Sequence, residues 1–273
     1  MGDTPYSESD EVAFDAIVDT MNAEPLEFVV HVGDIKSSRA QCTDAIYLDR
    51  KARFDRSAHP FILAPGDNEW VDCRRQRAGG HDPLERLAKL REIFFSGSRL
   101  MGKRQSVAFE AQEGYPENRL WTTRSVVFAT LNAQGSNDNV GFDARNDEEA
   151  VRRGAANRRW LDRAFAMPNA RAVVVIFHAN PFVRSKQLVY DALVASLTAH
   201  AVSFSKPVLV VHGETHFQRA DQPFRDGDGR TIANMTRLES FGSPFVGWVQ
   251  VSADPADARF FRFRTRGQST TFP

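Results

Sequence analysis

The segment Phe28–Ser37, FVVHVGDIKS, most constrains what this chain can fold into. Phe28, Val29, Val30, Val32 and, past the turn, Ile35 flank a Gly-Asp pair, and a continuous apolar run of this kind fits a strand buried on both faces. A Gly at the strand end lets the backbone turn sharply and leaves Asp34 facing whatever lies beyond the sheet edge. The arrangement recurs at Phe61–Glu69, FILAPGDNE, and a third Gly-Asp pair opens the chain at Gly2-Asp3. Such strands belong to an α/β fold, whose ligands sit at the carboxyl edge of the sheet.

The 273 residues suffice for a large core and read as one domain over residues 1–273. A formal net charge of zero gives no electrostatic footprint for nucleic acid or a membrane surface. No apolar run approaches the ~20 residues of a membrane span. Neither GxGxxG nor GxxxxGK[ST] occurs to cradle a pyrophosphate, which sets aside a nucleotide-dependent α/β enzyme.

Periodicity predicts helices over Ser7–Ala23, Thr43–Arg56, Asp82–Phe95, Asp147–Met167 and Ser185–Phe204. Strands are expected at Leu26–Val32, Pro60–Ala64, Val107–Glu110, Arg119–Thr122, Arg124–Leu131, Ala172–Phe177 and Pro207–Val211. Three more fall near Arg230–Arg237, Val246–Val251 and Arg259–Arg264, and a hairpin turn at Thr122–Thr123.

The strand-to-loop junctions carry Asp3, Asp34, Asp67 with Asn68, Asn132, His178, and then His212, Glu214 and His216. Taken singly, an Asp after Gly is a turn former or helix cap, and a lone His a hydrogen-bonded core residue. Gathered at one edge, they are oxygen and nitrogen ligands for divalent metals. Two carboxylates ~4 Å apart repel by ~4 kcal/mol at an effective dielectric of 20, so several together call for a cation.

The ordered set GDTP at Gly2–Pro5, GDIK at Gly33–Lys36, GDNE at Gly66–Glu69, FHAN at Phe177–Asn180 and GETH at Gly213–His216 resembles the motif series of the calcineurin-like metallophosphoesterases, which include the purple acid phosphatases. The resemblance implies a sandwich of two mixed sheets with helices outside, a two-metal centre and phosphoester hydrolysis. It makes Asp34 the carboxylate bridging both metals, with Asp3 and His216 on the first and Asp67, His178 and Glu214 on the second. Asn68 falls where the family has the His that helps protonate the leaving group.

Several positions depart from that pattern. Pro5 stands in place of a metal His, with Tyr6 or water to fill in, Asp67 replaces Asn, and Glu214 replaces His. An amide does not titrate, so Asn68 cannot be an acid. A shifted register makes Asn68 the ligand and Glu69 the acid, and His81 in GGHDP is a further acid candidate. Lys36, Asn180 and Arg184 are candidates for phosphate oxygens. The oxygen-rich, anionic set favours two Mn²⁺ or Mg²⁺ ions over Fe or Zn. The expected partner is a small-molecule phosphoester, and the alternative is a catalytically weak relative that binds a metal or phosphate ligand. Trp70 is read as packing, and the loops Arg74–Gly80 and Gln134–Arg145 as the determinants of substrate.

Two further expectations concern the ends of elements. The first motif should follow a buried strand of about five residues, yet only Met1 and Gly2 precede Asp3, so an apolar strand is expected upstream. Cys42 and Cys73 lie in loops leaving the same edge of neighbouring strands. They are expected to form a disulfide and so to indicate a periplasmic or secreted setting, the alternative being two free thiols in the cytoplasm.

Overall fold

The computed structural model describes residues 1–183, 187–257 and 259–267. Its centre is a seven-stranded mixed sheet in the order β3-β4-β5-β6-β7-β9-β8. The strands are β3 (Glu110–Gln112), β4 (Tyr115–Thr123), β5 (Val126–Thr130), β6 (Ala172–Ile176), β7 (Val208–His212), β8 (Arg219–Asp221) and β9 (Met235–Glu239). β5, β6, β7 and β9 run parallel, while β3, β4 and β8 pair antiparallel at the edges.

Side chains alternate across a strand, and both faces of this sheet are covered. Val173, Val175, Val208 and Val210 pack on α5 (Ala144–Phe165) and α6 (Gln187–Phe204). Val174, Ile176 and Leu209 face the other way, toward Val32, Ile62 and Ala64. There β1 (Val29–His31) pairs in parallel with β2 (Phe61–Leu63), and β10 (Gly247–Ala253) pairs antiparallel with β11 (Phe261–Gly267). Helices α1 (Glu8–Asn22), α2 (Asp44–Asp55) and α3 (Pro83–Phe94) back this second layer through Phe14, Tyr47, Phe54, Leu90 and Phe94. The expected fold class, mixed sheets sandwiched between helices, is what the structure has.

The helix starts follow from their caps. Ser7, Thr43 and Asp82 each accept a backbone amide at the first turns of α1, α2 and α3, and Pro83 supplies a preset φ. The strand expectations need three corrections. The hairpin turns at Arg124–Ser125, both at positive φ (49° and 65°), because the ladder continues to Thr123↔Val126. The strand expected at Val107–Glu110 begins only at Glu110, since Val107 and Phe109 are drawn to the inter-sheet core. The strand expected near Arg230–Arg237 begins only at Met235, and Arg230 itself closes a turn in which Asp226 accepts its amide. The short edge strand β8 lacked any apolar signal and is held to β9 by charge, through the ion pairs Arg219–Glu239 (2.7 Å) and Arg237–Asp221.

Between the seven-stranded sheet and the layer of β1 and β10 lies a cavity of about 500 Å³, lined largely by apolar side chains such as Val30, Val174, Ile176, Leu209, Val249 and Phe261.

Cys42 and Cys73 form the expected disulfide, with Cα atoms 5.7 Å apart. It ties the chain after β1 to the chain after β2, across a sequence separation of 31. The chain-entropy estimate for a loop of that length is about 3–4 kcal/mol. The double variant Cys42→Ser/Cys73→Ser is therefore expected to melt about 10 °C below the parent in differential scanning calorimetry. An unchanged melting temperature would mean that the bridge constrains nothing the fold does not already hold.

Candidate metal centre

The parallel strands β1, β2, β6 and β7 all deliver their carboxyl ends to one edge. Asp34 follows β1, Asp67 follows β2, His178 follows β6 and Glu214 follows β7. Asp3 joins them because the Asp3 amide donates to Gly33 O (2.8 Å) and the Glu214 amide donates to Asp3 Oδ1 (3.0 Å). Gly33, at φ 93°, abuts Gly66 so closely that a Cβ would strike backbone. The two Gly-Asp turns therefore need glycine in order to meet.

His178 Nε2 lies 3.0 Å from Asp67 Oδ1, 3.1 Å from Glu214 Oε2 and 3.4 Å from Asp34 Oδ1. Its Nδ1 lies 2.8 Å from the Val32 carbonyl, an acceptor only, so Nδ1 carries the proton. With Nδ1 so held, Nε2 is the ring atom turned on three carboxylates. His216 repeats this arrangement, with Nδ1 on the Ser243 carbonyl (2.7 Å) and Nε2 at 3.5 Å from Asp3 Oδ1. Asp67 Oδ1 and His178 Nε2 are buried and make no hydrogen bond. Buried polar atoms are rarely left so. Two sets of ligand-type atoms lie within 4.8 Å of one another, Asp3/Asp34/His178 and Asp67/His178/Glu214. This donor set fits divalent cations.

Electrostatics agree. Burial pushes the Asp3 carboxyl up to about 6, and burial plus the Asp67, Glu69 and Asp3 charges hold Asp34 well above the carboxylate range. Burial would strip a proton from His178, but the carboxylates of Asp34, Asp67, Glu214 and Asp3 outweigh it and raise its pKa. Without cations the cluster takes up protons. Asp3, Asp34, Glu214 and His216 all sit at positive φ (53°, 57°, 80° and 60°). Such strain in non-glycine residues persists only where the surroundings impose it, and it gathers at functional sites.

Other expected residues are placed differently. Asn68 is at the centre: its amide donates to Asp34 Oδ1 (3.0 Å), and Nδ2 donates to Asp34 Oδ2 and to the Tyr6 hydroxyl (3.2 Å). Tyr6 donates to Asp34 Oδ2 (2.9 Å) and lies 3.4 Å from His216 Nε2. Glu69 is not poised as an acid. It is fully buried, and its carboxylate accepts the amides of Gly66 (2.5 Å), Asp34 (3.2 Å) and Ile35 (3.3 Å), which clamps the two Gly-Asp turns together. Lys36 is buried too, its ammonium spent on the Ser37 and Ala40 carbonyls (3.2 and 3.0 Å), so it does not face a ligand. Asn180 donates to Thr215 Oγ1 (3.0 Å) and accepts from the Phe182 amide, bracing the loop that carries Glu214 and His216. His81 packs over Gly79 beside Gln41, its amide donating to the Cys73 carbonyl (2.8 Å). Arg184 lies outside the described residues. Trp70 is core, with Arg153 over its ring at 5.3 Å.

The sequence did not reveal what Gly135–Ser136 does. A Cβ on Gly135 would collide with Glu214 Oε2 and Asp67 Oδ1, so only glycine lets that backbone close over the site. Ser136 to Asn139 follow at positive φ (44° to 67°), and Ser136 donates to Asp72 Oδ1 (2.6 Å). Arg75 donates to Ser136 Oγ (3.3 Å) and pairs with Asp72 (2.6 Å) while its side chain stays 49% exposed. The two loops flagged as substrate determinants thus meet beside Asp67. The signal was a Gly-Ser-Asn-Asp-Asn run, which reads as loop without specifying a shape.

No family model and no curated protein sequence matches the chain. Among solved structures it is similar to a dimetal phosphatase from Danio rerio, with a TM-score of 0.56 and 12% identity, over 98% of this chain and 94% of that one. At that identity the likeness establishes the fold.

The clamp can be tested directly. Glu69→Ala leaves three buried amides without an acceptor and is expected to cost about 3 kcal/mol or more in urea unfolding. Glu69→Gln keeps one acceptor oxygen and is expected to cost about half as much. Equal and small losses would show that the amides find other partners.

Proposed function

We propose that the chain is a metal-dependent phosphoester hydrolase of the calcineurin-like metallophosphoesterase superfamily. The observation that carries this reading is the pair of histidines, His178 and His216, each anchored through Nδ1 to a carbonyl and presenting Nε2 among buried carboxylates. Ligating imidazoles are held in this way in metal sites. The fold of a dimetal phosphatase supports the class of chemistry.

In this assignment Asp34 would be shared by two cations, with Asp3 and His216 holding one and Asp67, His178 and Glu214 holding the other. Tyr6 stands near the first shell where the family pattern has a histidine, its hydroxyl 3.4 Å from His216 Nε2. Two bound divalent cations would supply an activated water and neutralise charge developing at phosphorus. The chain's own groups do the rest. Asn68 cannot release a proton to a leaving oxygen, and both Nδ2 hydrogens are held by Asp34 Oδ2 and the Tyr6 hydroxyl. Substrates with good leaving groups are therefore favoured. Arg75, half-exposed beside Ser136, replaces Lys36 as the candidate contact for a phosphate oxygen. Mn²⁺ or Mg²⁺ suits the four carboxylates, with Fe or Zn the alternative. The Cys42–Cys73 bridge favours a periplasmic or secreted setting.

Calorimetric metal titration coupled to hydrolysis of an aryl phosphate tests the assignment. Mn²⁺ is expected to bind at two sites and to switch on hydrolysis. Asp34→Asn should abolish loading at both, and Asp3→Asn should weaken mainly one. If Asp34→Asn still binds two ions as tightly as the parent, the bridging role is wrong. Two-site binding with no hydrolysis of any activated ester would leave the protein a metal- and phosphate-binding module instead.

Arg75→Ala should raise KM for the aryl phosphate about 10-fold with little change in kcat, the mark of a lost ground-state contact. An unchanged KM removes Arg75 from the substrate site.

A further inference from the structure

The layer facing the seven-stranded sheet is split. β1 pairs with β2 and β10 pairs with β11, each as a separate two-stranded sheet. β2 has its far edge closed by the bridge from Phe61 to Met101. Among the described residues, β1 is paired on its other side only near Met1, whose nitrogen donates to Val30 O (3.2 Å) and whose carbonyl accepts the Val32 amide (2.9 Å). Bonding to residues on either side of His31 is the pattern of a parallel ladder. Met1 to Asp3 therefore lie as the last rungs of a strand beside β1. On their other side the Asp3 carbonyl accepts the Ser243 amide (2.8 Å), a few residues before β10 begins.

Followed backward from Met1, that line runs into the 500 Å³ cavity, whose walls include Phe28 and Val30 of the β1 segment and Val249 and Val251 of β10. Its floor is the sheet face of Val174, Ile176 and Leu209. One wall is a strand edge, the opposite wall is another, and the floor is apolar. A compact ligand would leave both edges unpaired, whereas a strand satisfies edges and floor together.

We propose that this cavity is a strand-receiving slot, filled by an extended apolar segment of about five residues that leads into Met1, runs parallel to β1, and joins the two small sheets into one. The segment is apolar on both faces. One face meets the floor of the slot, and the other meets the core of α1 to which Met1 and Trp248 already belong. Peptide groups along it pair with β1 on one side and β10 on the other.

The test compares three forms of the full chain. One is as given, one carries about six Val, Ile and Thr residues before Met1, and one carries a Gly/Ser extension of the same length. The apolar extension is expected to raise the melting temperature by about 10 °C or more and to slow amide exchange at Phe28 and Val30 about 100-fold. The Gly/Ser form should match the unextended chain. Val249→Lys, placed in the slot, should cancel the gain of the apolar form. Equal melting of the two extended forms overturns the proposal, as does a gain that survives Val249→Lys. A stabilisation of the unextended chain by dodecanoate, with none from the apolar extension, also overturns it and makes the slot a site for an apolar small molecule.

Discussion

The mutual repulsion of Asp3, Asp34, Asp67 and Glu214 is the constraint on which the rest of this structure depends. Four carboxylates near one imidazole, away from water, cannot all be ionised without counter-charge. The raised proton affinities of Asp3, Asp34 and His178 record that demand. A fold that tolerates such a cluster must fix its backbone from outside. Glu69 clamps the two Gly-Asp turns, and His31 spans Thr4 O (2.9 Å) and the Gly33 amide (3.2 Å) between the loops of Asp3 and Asp34. Burial holds His31 neutral, its pKa brought down to about 3, so one ring nitrogen donates while the other accepts.

A second buried network supports the loop that closes the site. Arg153, fully buried on α5, donates to the Asn132 carbonyl (2.9 Å), to Asp138 (2.7 Å) and to Glu149 (2.8 Å). Removing one member would strand the others' charges away from water, a far larger loss than the net worth of the pairs. The outcome is a rigid path from the end of β5 through Gly135, which sets how closely the Arg75 and Ser136 loops approach Asp67. Strain at Ser136–Asn139 is therefore sustained by the buried Arg153, which pairs with Asp138 inside that segment.

Much of the fold was legible because β6 is apolar at every position and β7 at all but its last, His212, a pattern that fits a doubly covered strand. Gly-Asp turns at the ends of β1 and β2 were equally clear. Short polar edges were not: β8 has no buried residue, its one apolar side chain, Ala220, being exposed, and its pairing is reinforced by ion pairs formed only in three dimensions. Within the site, residue type foretold which side chains gather but not their freedom. Glu69 and Lys36 look reactive in a string of letters, and only the direction of their hydrogen bonds shows that they hold backbone. Tyr6 was one of two options for the position beside His216, and its ring, 5.4 Å from that imidazole, shows where it lies. Burial and direction are tertiary facts, and sequence spacing carries neither.

Charge balance then separates this site from one built on more imidazole. Under the proposed assignment four carboxylates meet two dications, so the loaded centre is formally neutral. Replacing neutral ligands by Asp67 and Glu214 strengthens the hold on hard cations. The same change lowers the net positive field that would draw in a phosphate dianion. Compensation by direct contact must come from outside the metal shells, and Lys36, whose charge reaches the cluster but whose ammonium is held on the Ser37 and Ala40 carbonyls, cannot give that contact. Arg74 and Arg75 can, since they lie on the loop that contacts Ser136 and Phe142. Asp72 offsets one of these charges by pairing with Arg75, and burial, with Asp67 nearby, raises its pKa to about 6. Under the proposed assignment, substrate attraction would thus fall to a rim of arginine outside the metal ligands, where loop shape would select what is bound.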